Sequence, residues 1–392
     1  GREGDARALR ENRGQMTVVA IIFWVSLALI IYTQVGYALL LALLARLIRR
    51  RPPAATSWRG ELPRVSVIVA AYNEQDVISR RVANLRALDY PAELLELIVA
   101  SDGSSDSTAA QARAAGADIV LELPRGGKIR AQDAAVARAG GAILAFSDAN
   151  SEWQPEALRQ MVDAFADPKI GYVTGDVTLL DAGGVNQEGV YWRYEMWIRR
   201  LESRLRSVTS GNGAIYATRR ESYLSVDPLA GHDLSFPFNM VKRGWRAVYV
   251  TSARASEKMA PTIEGEFTRK RRMARRTWPT VWGSGLISPR GYDPLYGLMI
   301  FSHRLLRYLT PFLHLVALVT SLVLISRGWV YVVCAAAQLA VLGGAAIAPV
   351  VPNRLLLVAR YYVVTNWALA VGLWDWLRGE RSPVWETVEG TR

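Results

Sequence analysis

Four long stretches of the chain are almost wholly apolar, and they flank a polar middle. The first covers residues 16–47, and the others cover residues 305–325, 329–351 and 355–377. A helix of about 20 apolar residues crosses the hydrocarbon core of a bilayer. The pattern therefore predicts one tilted transmembrane helix before the polar middle and two to three after it.

The charges beside the first apolar stretch predict its orientation. Arg46 and the arginines at positions 49–51 follow it directly, and positive residues favour the cytoplasmic side of a membrane. The stretch is too long for a removable signal peptide and lacks a small-residue cleavage site. We therefore expect a retained helix, with the polar middle in the cytoplasm of a bacterial plasma membrane protein. The orientation of the last stretch stays open, because Arg360, Asn366 and Asp375 interrupt it.

In the polar middle, short β-rich runs alternate with amphipathic helical runs. Examples are VSVIVAAY at positions 65–72, LLELIVASD at 94–102 and KIRAQDAAVARA at 128–139. Continuous apolar strands that alternate with helices are typical of an α/β fold with a mostly parallel sheet covered on both faces. Ligands of such sheets bind at the carboxyl ends of the strands. Polar clusters stand at three of these predicted ends, which indicates one polar crevice.

The amino-acid composition excludes some kinds of site but does not identify the binding partner. The chain has 392 residues, a formal net charge of +12 and a single cysteine, Cys334. One cysteine excludes an internal disulfide framework and a multi-thiolate metal site. A bound metal would have to use oxygen ligands or the three histidines. The positive charge suits nucleotides, nucleic acids and phospholipid headgroups alike.

Six motifs carry a resemblance to a known family. They are AAYNE at 70–74, SDGSSD at 101–106, GGK at 126–128, SDAN at 147–150, SGNGAIYA at 210–217 and GHD at 231–233. In order and spacing this set resembles the family 2 glycosyltransferases with the GT-A fold, a Rossmann-like α/β fold. The flanking apolar stretches are similar to those of the membrane-embedded branch that includes cellulose, hyaluronan and ceramide-glucosyl synthases. The resemblance implies an inverting hexosyltransferase that uses a nucleotide-sugar, above all a UDP-sugar.

The resemblance also implies roles for the donor-side residues. Ala71, Tyr72 and Glu74 would line the uridine pocket, and Asp102 would hydrogen-bond the base. Lys128 would approach the diphosphate. We expect these side chains at the nucleotide end of the crevice.

The metal and the catalytic base are implied in the same way. Asp148 and Asn150 stand at the first and third positions of the family's DxD motif, which predicts Mg²⁺ or Mn²⁺ as cofactor. Gly213 would allow the backbone to approach the nucleotide-sugar. Asp233 matches the catalytic base, which removes the acceptor proton. His232 replaces the usual acidic neighbour, so it either flanks a helix start, tunes the pKa of Asp233 or touches a sugar on the acceptor side.

The basic stretch FTRKRRMARRTW at positions 267–278 has three possible partners: nucleic acid, membrane lipid or a diphosphate. The family places a Q-x-x-R-W motif here, which aligns Arg269 with Gln, Arg272 with Arg and Met273 with Trp. Arg272 is the predicted catalytic arginine, and Trp278 is an acceptor-side candidate that also suits a membrane interface. Without a reading motif, and with several apolar spans, the chain is not expected to bind nucleic acid.

Together these patterns predict an ordered set of segments. Residues 1–15 form a polar tail, 16–48 the first transmembrane helix and 49–262 a cytoplasmic GT-A domain. Residues 263–300 form interfacial helices with the basic motif, 301–377 the remaining membrane helices and 378–392 a tail. The expected acceptor is a lipid or glycan at the phospholipid membrane. Two alternatives remain: a processive synthase that extrudes a polysaccharide, and an inactive scaffold subunit that keeps the fold.

Overall fold

The computed structural model describes residues 2–48, 57–180, 188–258, 263–351 and 353–380. The strands are β1 Val65–Ala71, β2 Leu95–Asp102, β3 Ile119–Leu123, β4 Ile143–Asp148, β5 Glu152–Trp153, β6 Ile170–Leu180, β7 Tyr216–Arg219 and β8 Arg246–Lys258. The helices are α1 Arg2–Ile31, α2 Tyr37–Leu47, α3 Ile78–Arg86, α4 Thr108–Ala114, α5 Lys128–Arg138, α6 Ala157–Ala164, α7 Glu188–Leu205, α8 His232–Lys242, α9 Ile263–Trp282, α10 Pro294–Met299, α11 Leu306–Val323, α12 Trp329–Ile347 and α13 Arg354–Leu377.

The strands form one mixed sheet in the order β3-β2-β1-β4-β7-β6-β8-β5. Strands β3, β2, β1 and β4 run parallel to one another, as do β6 and β8, while β7 is antiparallel to both β4 and β6. The chain passes from β1 to β2 on one side and reaches β4 on the other. The carboxyl ends of β1 and β4 therefore border a topological switch point, where open α/β sheets bind ligands.

Alternating residues of the central strands fill two separate cores. Val67 and Val69 of β1 belong to the core on one face of the sheet, and Ile68 and Ala70 belong to the core on the other. Every residue of β1 and β2 is buried. Burial on both faces is the physical reason why these strands are continuously apolar in sequence. The α/β prediction is confirmed.

Four helical segments are long and apolar enough to cross a membrane: Gly14–Leu47, Pro294–Val323, Trp329–Ile347 and Arg354–Leu377. Large apolar side chains on them face outward, as in Trp329, which is 76% exposed. Helix α1, which leads into the first segment, begins at Arg2, within the expected polar tail. The last is one continuous helix despite its polar residues, so the interruption seen in the sequence does not break it.

The basic helix α9 packs directly against α13. The guanidinium group of Arg271 donates to both carboxylate oxygens of Asp375, at 2.7 and 2.8 Å. Gly372 leaves room for Ala274, since a Cβ there would lie 2.4 Å from the Ala274 Cβ. The indole N–H of Trp278 donates to the carbonyl of Leu369 at 3.1 Å. These contacts fix the rotation of α9 and thereby decide which of its side chains face the sheet.

Candidate active site

A cavity of about 390 Å³ lies between the sheet, the start of α8, the basic helix α9 and the membrane-type helices α11 and α13. Its walls come from parts of the chain that are far apart in sequence. We call it the central cavity. Its polar lining residues are Lys128, Gln132, Asp148, Glu195, Arg199, Ser210, Asn212, His232, Asp233, Glu257, Arg269, Lys270, Arg276, Thr277, Arg304, Arg307 and Thr365.

Asp102, at the end of β2, holds the glycine loop that precedes α5. Its carboxylate accepts hydrogen bonds from the backbone N–H groups of Gly126, at 2.7 Å, and Gly127, at 3.0 Å. It also pairs with Arg125 at 3.0 Å. Gly127 has φ +95°, a conformation that L side chains rarely adopt. Asp102 is 1% exposed, so in this structure it positions the loop rather than facing the central cavity.

The other predicted uridine-pocket residues lie beside Asp102, outside the lining of the central cavity. Ala71 is buried at the end of β1, and the guanidinium group of Arg125 stacks on the half-buried ring of Tyr72. The backbone N–H of Glu74 donates to the Thr108 hydroxyl at 2.8 Å. The strand ends thus bring these residues together at the edge of the switch point.

Lys128 and Asp148 form an ion pair inside the central cavity. Lys128 is the first residue of α5, and Asp148 is the last residue of β4. Gly213 closes over the pair: a Cβ at this position would lie 2.9 Å from Asp148 Oδ2 and 3.1 Å from Lys128 Nζ. Lys128, Asp148 and Gly213 therefore meet at one point, where a larger residue at 213 would have to shift the ion pair.

Asp233 enters the central cavity from the first turn of α8. Its backbone carbonyl accepts a hydrogen bond from the N–H of Gly211 at 2.6 Å. A Cβ on Gly231 would lie 2.2 Å from Asp233 Oδ1, so a larger residue there would have to displace the carboxylate. Among the residues that the structure describes, none donates a hydrogen bond to the Asp233 carboxylate. The carboxylate is therefore held in place through the backbone and stays available to a substrate.

His232 also lines the central cavity, but it is 4% exposed and stacks on Phe236 with ring centroids 4.1 Å apart. Burial, followed by the charge of Lys128, lowers its pKa to about 3. Its imidazole is therefore neutral at physiological pH.

Asn150, the predicted partner of Asp148 in metal binding, lines a second and smaller cavity of about 110 Å³. Glu257, on β8, lines both cavities. Burial, followed by the nearby charge of Asp148, raises the pKa of Glu257 to about 7. No local pattern in the sequence singles out Glu257, because only the pairing of β8 with β6 carries it to this place. The structure thus adds a second carboxylate beside Asp148.

Helix α9 presents Arg269, Met273 and Arg276 to the central cavity. These positions are four and three residues apart and share one helical face. Burial lowers the pKa of Arg276, and the charge of Asp233 acts in the opposite direction, which places this guanidinium near the candidate base. Arg272, the predicted catalytic arginine, is not among the lining residues. Trp278, the acceptor-side candidate, is 1% exposed and packs between α9 and α13.

The membrane end of the central cavity contains a buried ionic network that the sequence did not predict. Glu195 of α7 accepts hydrogen bonds from Arg307, at 2.6 Å, and Arg304, at 3.5 Å. His303 contacts both Glu195, at 3.3 Å, and Glu202, at 2.7 Å. Burial alone would raise the pKa of Glu195, but His303 and the arginines outweigh it and hold this pKa well below its usual range. The network joins α7 to the start of α11.

Comparisons with known proteins agree with this architecture. Residues 66–226 match the family Glycosyl transferase family 2, so the chain contains a domain of that family. A mannosyltransferase from Pyrobaculum calidifontis, solved in complex with GDP-Man and Mn²⁺, superimposes with a TM-score of 0.70 and 21% identity, covering 92% of this chain and 100% of that one. At this identity the likeness shows the fold alone.

Three curated relatives are similar to part of this chain. An N-acetylglucosaminyltransferase of Rhizobium meliloti is 26% identical over 55% of this chain and 56% of its own length. A beta-monoglucosyldiacylglycerol synthase of Synechocystis is 25% identical over 75% of this chain and 65% of its own length. A poly-beta-1,6-N-acetyl-D-glucosamine synthase of Staphylococcus aureus is 26% identical over 55% of each. The match therefore spans about half to two thirds of the length of these relatives.

Proposed function

We propose that this chain, a family 2 glycosyltransferase, moves a sugar from a nucleotide-sugar to a membrane-associated acceptor with inversion at the anomeric carbon. The observation that carries the proposal is the geometry of the central cavity. It holds the Lys128–Asp148 pair and the carboxylate of Asp233, and residues of α11 and α13 line its far side. A donor on the sheet side and an acceptor from the membrane side would meet there.

The donor diphosphate would bind at the amino end of α5. Backbone N–H groups and the dipole of a helix start favour phosphate oxygens. Lys128 adds a positive charge at that end, and Arg269 faces it from α9. The nucleoside would extend toward Tyr72, at the carboxyl end of β1. A UDP-sugar is the donor that the motifs favour.

The carboxylate side chains near the proposed diphosphate site fit the ligand preference of a divalent metal. Asp148 and Glu257 are two carboxylates on the same cavity wall, and the raised pKa of Glu257 reflects their mutual repulsion together with burial. Mg²⁺ and Mn²⁺ prefer carboxylate oxygens, and we propose that these two residues would hold the ion. The ion would offset the charge of the leaving diphosphate. The Pyrobaculum mannosyltransferase, which has the same fold, was solved with Mn²⁺.

Asp233 would act as the catalytic base. Its carboxylate would take the proton of an acceptor hydroxyl while that oxygen forms a bond to the anomeric carbon. The bond from this carbon to the diphosphate oxygen breaks at the same time, and the nucleoside diphosphate leaves with the electron pair. A single displacement from the opposite face inverts the configuration.

The experiment that tests this function uses the full chain, purified in detergent. It is incubated with a panel of UDP- and GDP-sugars and Mn²⁺, and the release of nucleoside diphosphate is measured. We expect slow hydrolysis of one or a few donors and its loss in excess EDTA. Absence of turnover and of binding across the panel would contradict the proposal. Product length separates a single transfer from processive synthesis.

A further inference from the structure

Three guanidinium groups lie at the membrane end of the central cavity, beyond Asp233. Arg199 comes from α7, Arg304 from the turn that precedes α11, and Arg307 from α11 itself. We call them the arginine cluster. Ionisable side chains within or beside membrane segments are costly and commonly mark the path of a substrate. The arginine cluster is therefore a candidate binding site for a substrate or ligand.

Arg199 is poorly satisfied by its protein neighbours. The residue is 4% exposed, yet its Nη2 lies 3.5 Å from the Ser210 hydroxyl and 3.8 Å from a Glu195 oxygen, both long contacts. Within the described part of the chain, its Nε and Nη1 have no hydrogen-bond partner. A buried cation with unpaired donors is strongly disfavoured unless an anion meets it. Because Arg199 lines the cavity, that anion can come from a ligand.

One carboxylate is shared by the three guanidinium groups of the cluster. Among the residues that the structure describes, all three guanidinium groups pair with the carboxylate of Glu195, and Glu202 pairs with His303. Buried charges in proteins are normally paired. An anionic group in the cavity would complete the balance.

Apolar side chains also line the central cavity. Met273 and Leu369 line the cavity between α9 and α13, and Met273 is 44% exposed. A methionine adapts to irregular apolar partners but offers no flat face for a sugar ring. This wall suits a hydrocarbon chain better than a glycan.

We infer that the arginine cluster binds the phosphate group of a lipid, whose chain leaves the cavity past Met273 and Leu369 toward the bilayer. Guanidinium forks match phosphate oxygens in geometry and charge. The inference rests on the proposed function only in taking this lipid to be the acceptor. The same chemistry would also suit the headgroup of a resident phospholipid.

Binding is tested with two amphiphiles that share a chain, dodecyl phosphate and 1-dodecanol. Each is titrated into the full chain in neutral detergent, and the thermal midpoint is followed. A ligand that binds the native state raises the midpoint with concentration. We expect dodecyl phosphate to raise it and 1-dodecanol to leave it unchanged. Equal effects of both amphiphiles would overturn the inference.

Variants locate the site. Arg199→Gln and Arg307→Gln should each weaken dodecyl phosphate binding by about tenfold or more, since one lost charge-assisted hydrogen bond is worth roughly this factor. Arg199→Lys should restore part of the affinity. The matched control is Arg200→Gln, an exposed arginine on the same helix that does not line the cavity. Unchanged affinity in both cavity variants would place the phosphate elsewhere and refute the site. If neither variant folds, the comparison of the two amphiphiles on the unchanged chain decides.

Mass spectrometry of the amphiphile after incubation with the donor panel identifies the source of the phosphate. A glycosylated dodecyl phosphate supports an acceptor, whereas a bound but unmodified one supports a resident headgroup. Failure of the proposed function can be distinguished from failure of the phosphate site, because donor turnover is measured without amphiphile. Donor hydrolysis without selective phosphate binding would remove the site and leave the function standing. Selective phosphate binding without any donor turnover would contradict the proposed function and leave the phosphate site standing.

Discussion

His232 Nδ1 lies 2.8 Å from the hydroxyl of Tyr216. The same hydroxyl accepts a hydrogen bond from Gln132 Nε2 at 3.1 Å, so its own proton points to the imidazole. Nδ1 is then the acceptor, and the imidazole proton resides on Nε2. His232 therefore lines the central cavity as a neutral ring with a fixed N–H donor.

This arrangement predicts a pH dependence of stability. Burial and Lys128 lower the pKa of His232 to about 3, from about 6.5 in the unfolded chain. The folded state thus resists protonation, and the associated stability is complete above pH 6.5 and falls as the pH drops toward 3. When the pH falls from 7 to 5, the free energy of unfolding of the unchanged chain should drop by roughly 2 kcal/mol more than that of His232→Gln. Thermal and chemical unfolding in detergent measure this difference. Parallel pH profiles would show that His232 does not resist protonation.

Replacement of the candidate base should abolish transfer without unfolding the protein. Asp233→Asn keeps the size of the side chain and loses its basicity, so the transfer rate should fall by about 10²–10⁴. Donor affinity and thermal midpoint should change little, because the side chain accepts no hydrogen bond from the described residues. Asp89→Asn, an exposed substitution away from the cavity, is the control. Normal transfer by a folded Asp233→Asn variant would remove the residue as base.

The contact of Gly213 with the Lys128–Asp148 pair predicts a steric effect on the donor. Gly213→Ala would place a methyl group 2.9 Å from Asp148 Oδ2, so the pair must shift. Overpacking of this kind costs about 1–3 kcal/mol, which corresponds to a loss of donor affinity on the order of tenfold. Gly343→Ala is the matched control, since no atom lies within 4 Å of its Cβ position. The affinity for the nucleotide-sugar is measured by titration, and equal affinities in the two variants would contradict a tight fit at residue 213.

The proposed metal site can be tested without turnover. Glu257→Gln should weaken Mn²⁺ binding by more than about tenfold, because even indirect partners of a metal are worth 10- to 100-fold in affinity. Electron paramagnetic resonance of free Mn²⁺ reports this affinity directly. Glu93→Gln, on an exposed turn, should bind Mn²⁺ as the unchanged chain does. If Glu257→Gln also bound normally, Asp148 would have to be partnered by another residue.

The proposed orientation is tested by cysteine labelling. Cys334 is first replaced by serine, and single cysteines are placed at Ala114, on the exposed end of α4, or at Arg327, between α11 and α12. With the sheet domain in the cytoplasm, an impermeant thiol reagent should label position 327 in intact cells and spare position 114. Labelling at position 114 but not at position 327 would contradict a cytoplasmic sheet domain.

Sequence alone determined the features that depend on local pattern. Apolar stretches of about 20 residues indicated the membrane-type helices, and continuous apolar runs ending in polar residues indicated a parallel sheet with a crevice at its edge. The GGK, SDAN and GHD motifs also led to Lys128, Asp148 and Asp233, which the structure brings to one cavity. The helices and strands are encoded by neighbours in the chain, whereas the roles expected for these three residues came from the family resemblance.

Tertiary structure alone decided which distant residues share the site. Glu257 reaches Asp148 only through the pairing of β8 with β6, and Arg307 of α11 joins Arg199 at Glu195 only through the tertiary fold. The rotation of α9, fixed by the Arg271–Asp375 pair, turns Arg276 toward the cavity instead of Arg272. Strand register and helix rotation are set by contacts between segments far apart in sequence, and a local pattern therefore cannot specify them.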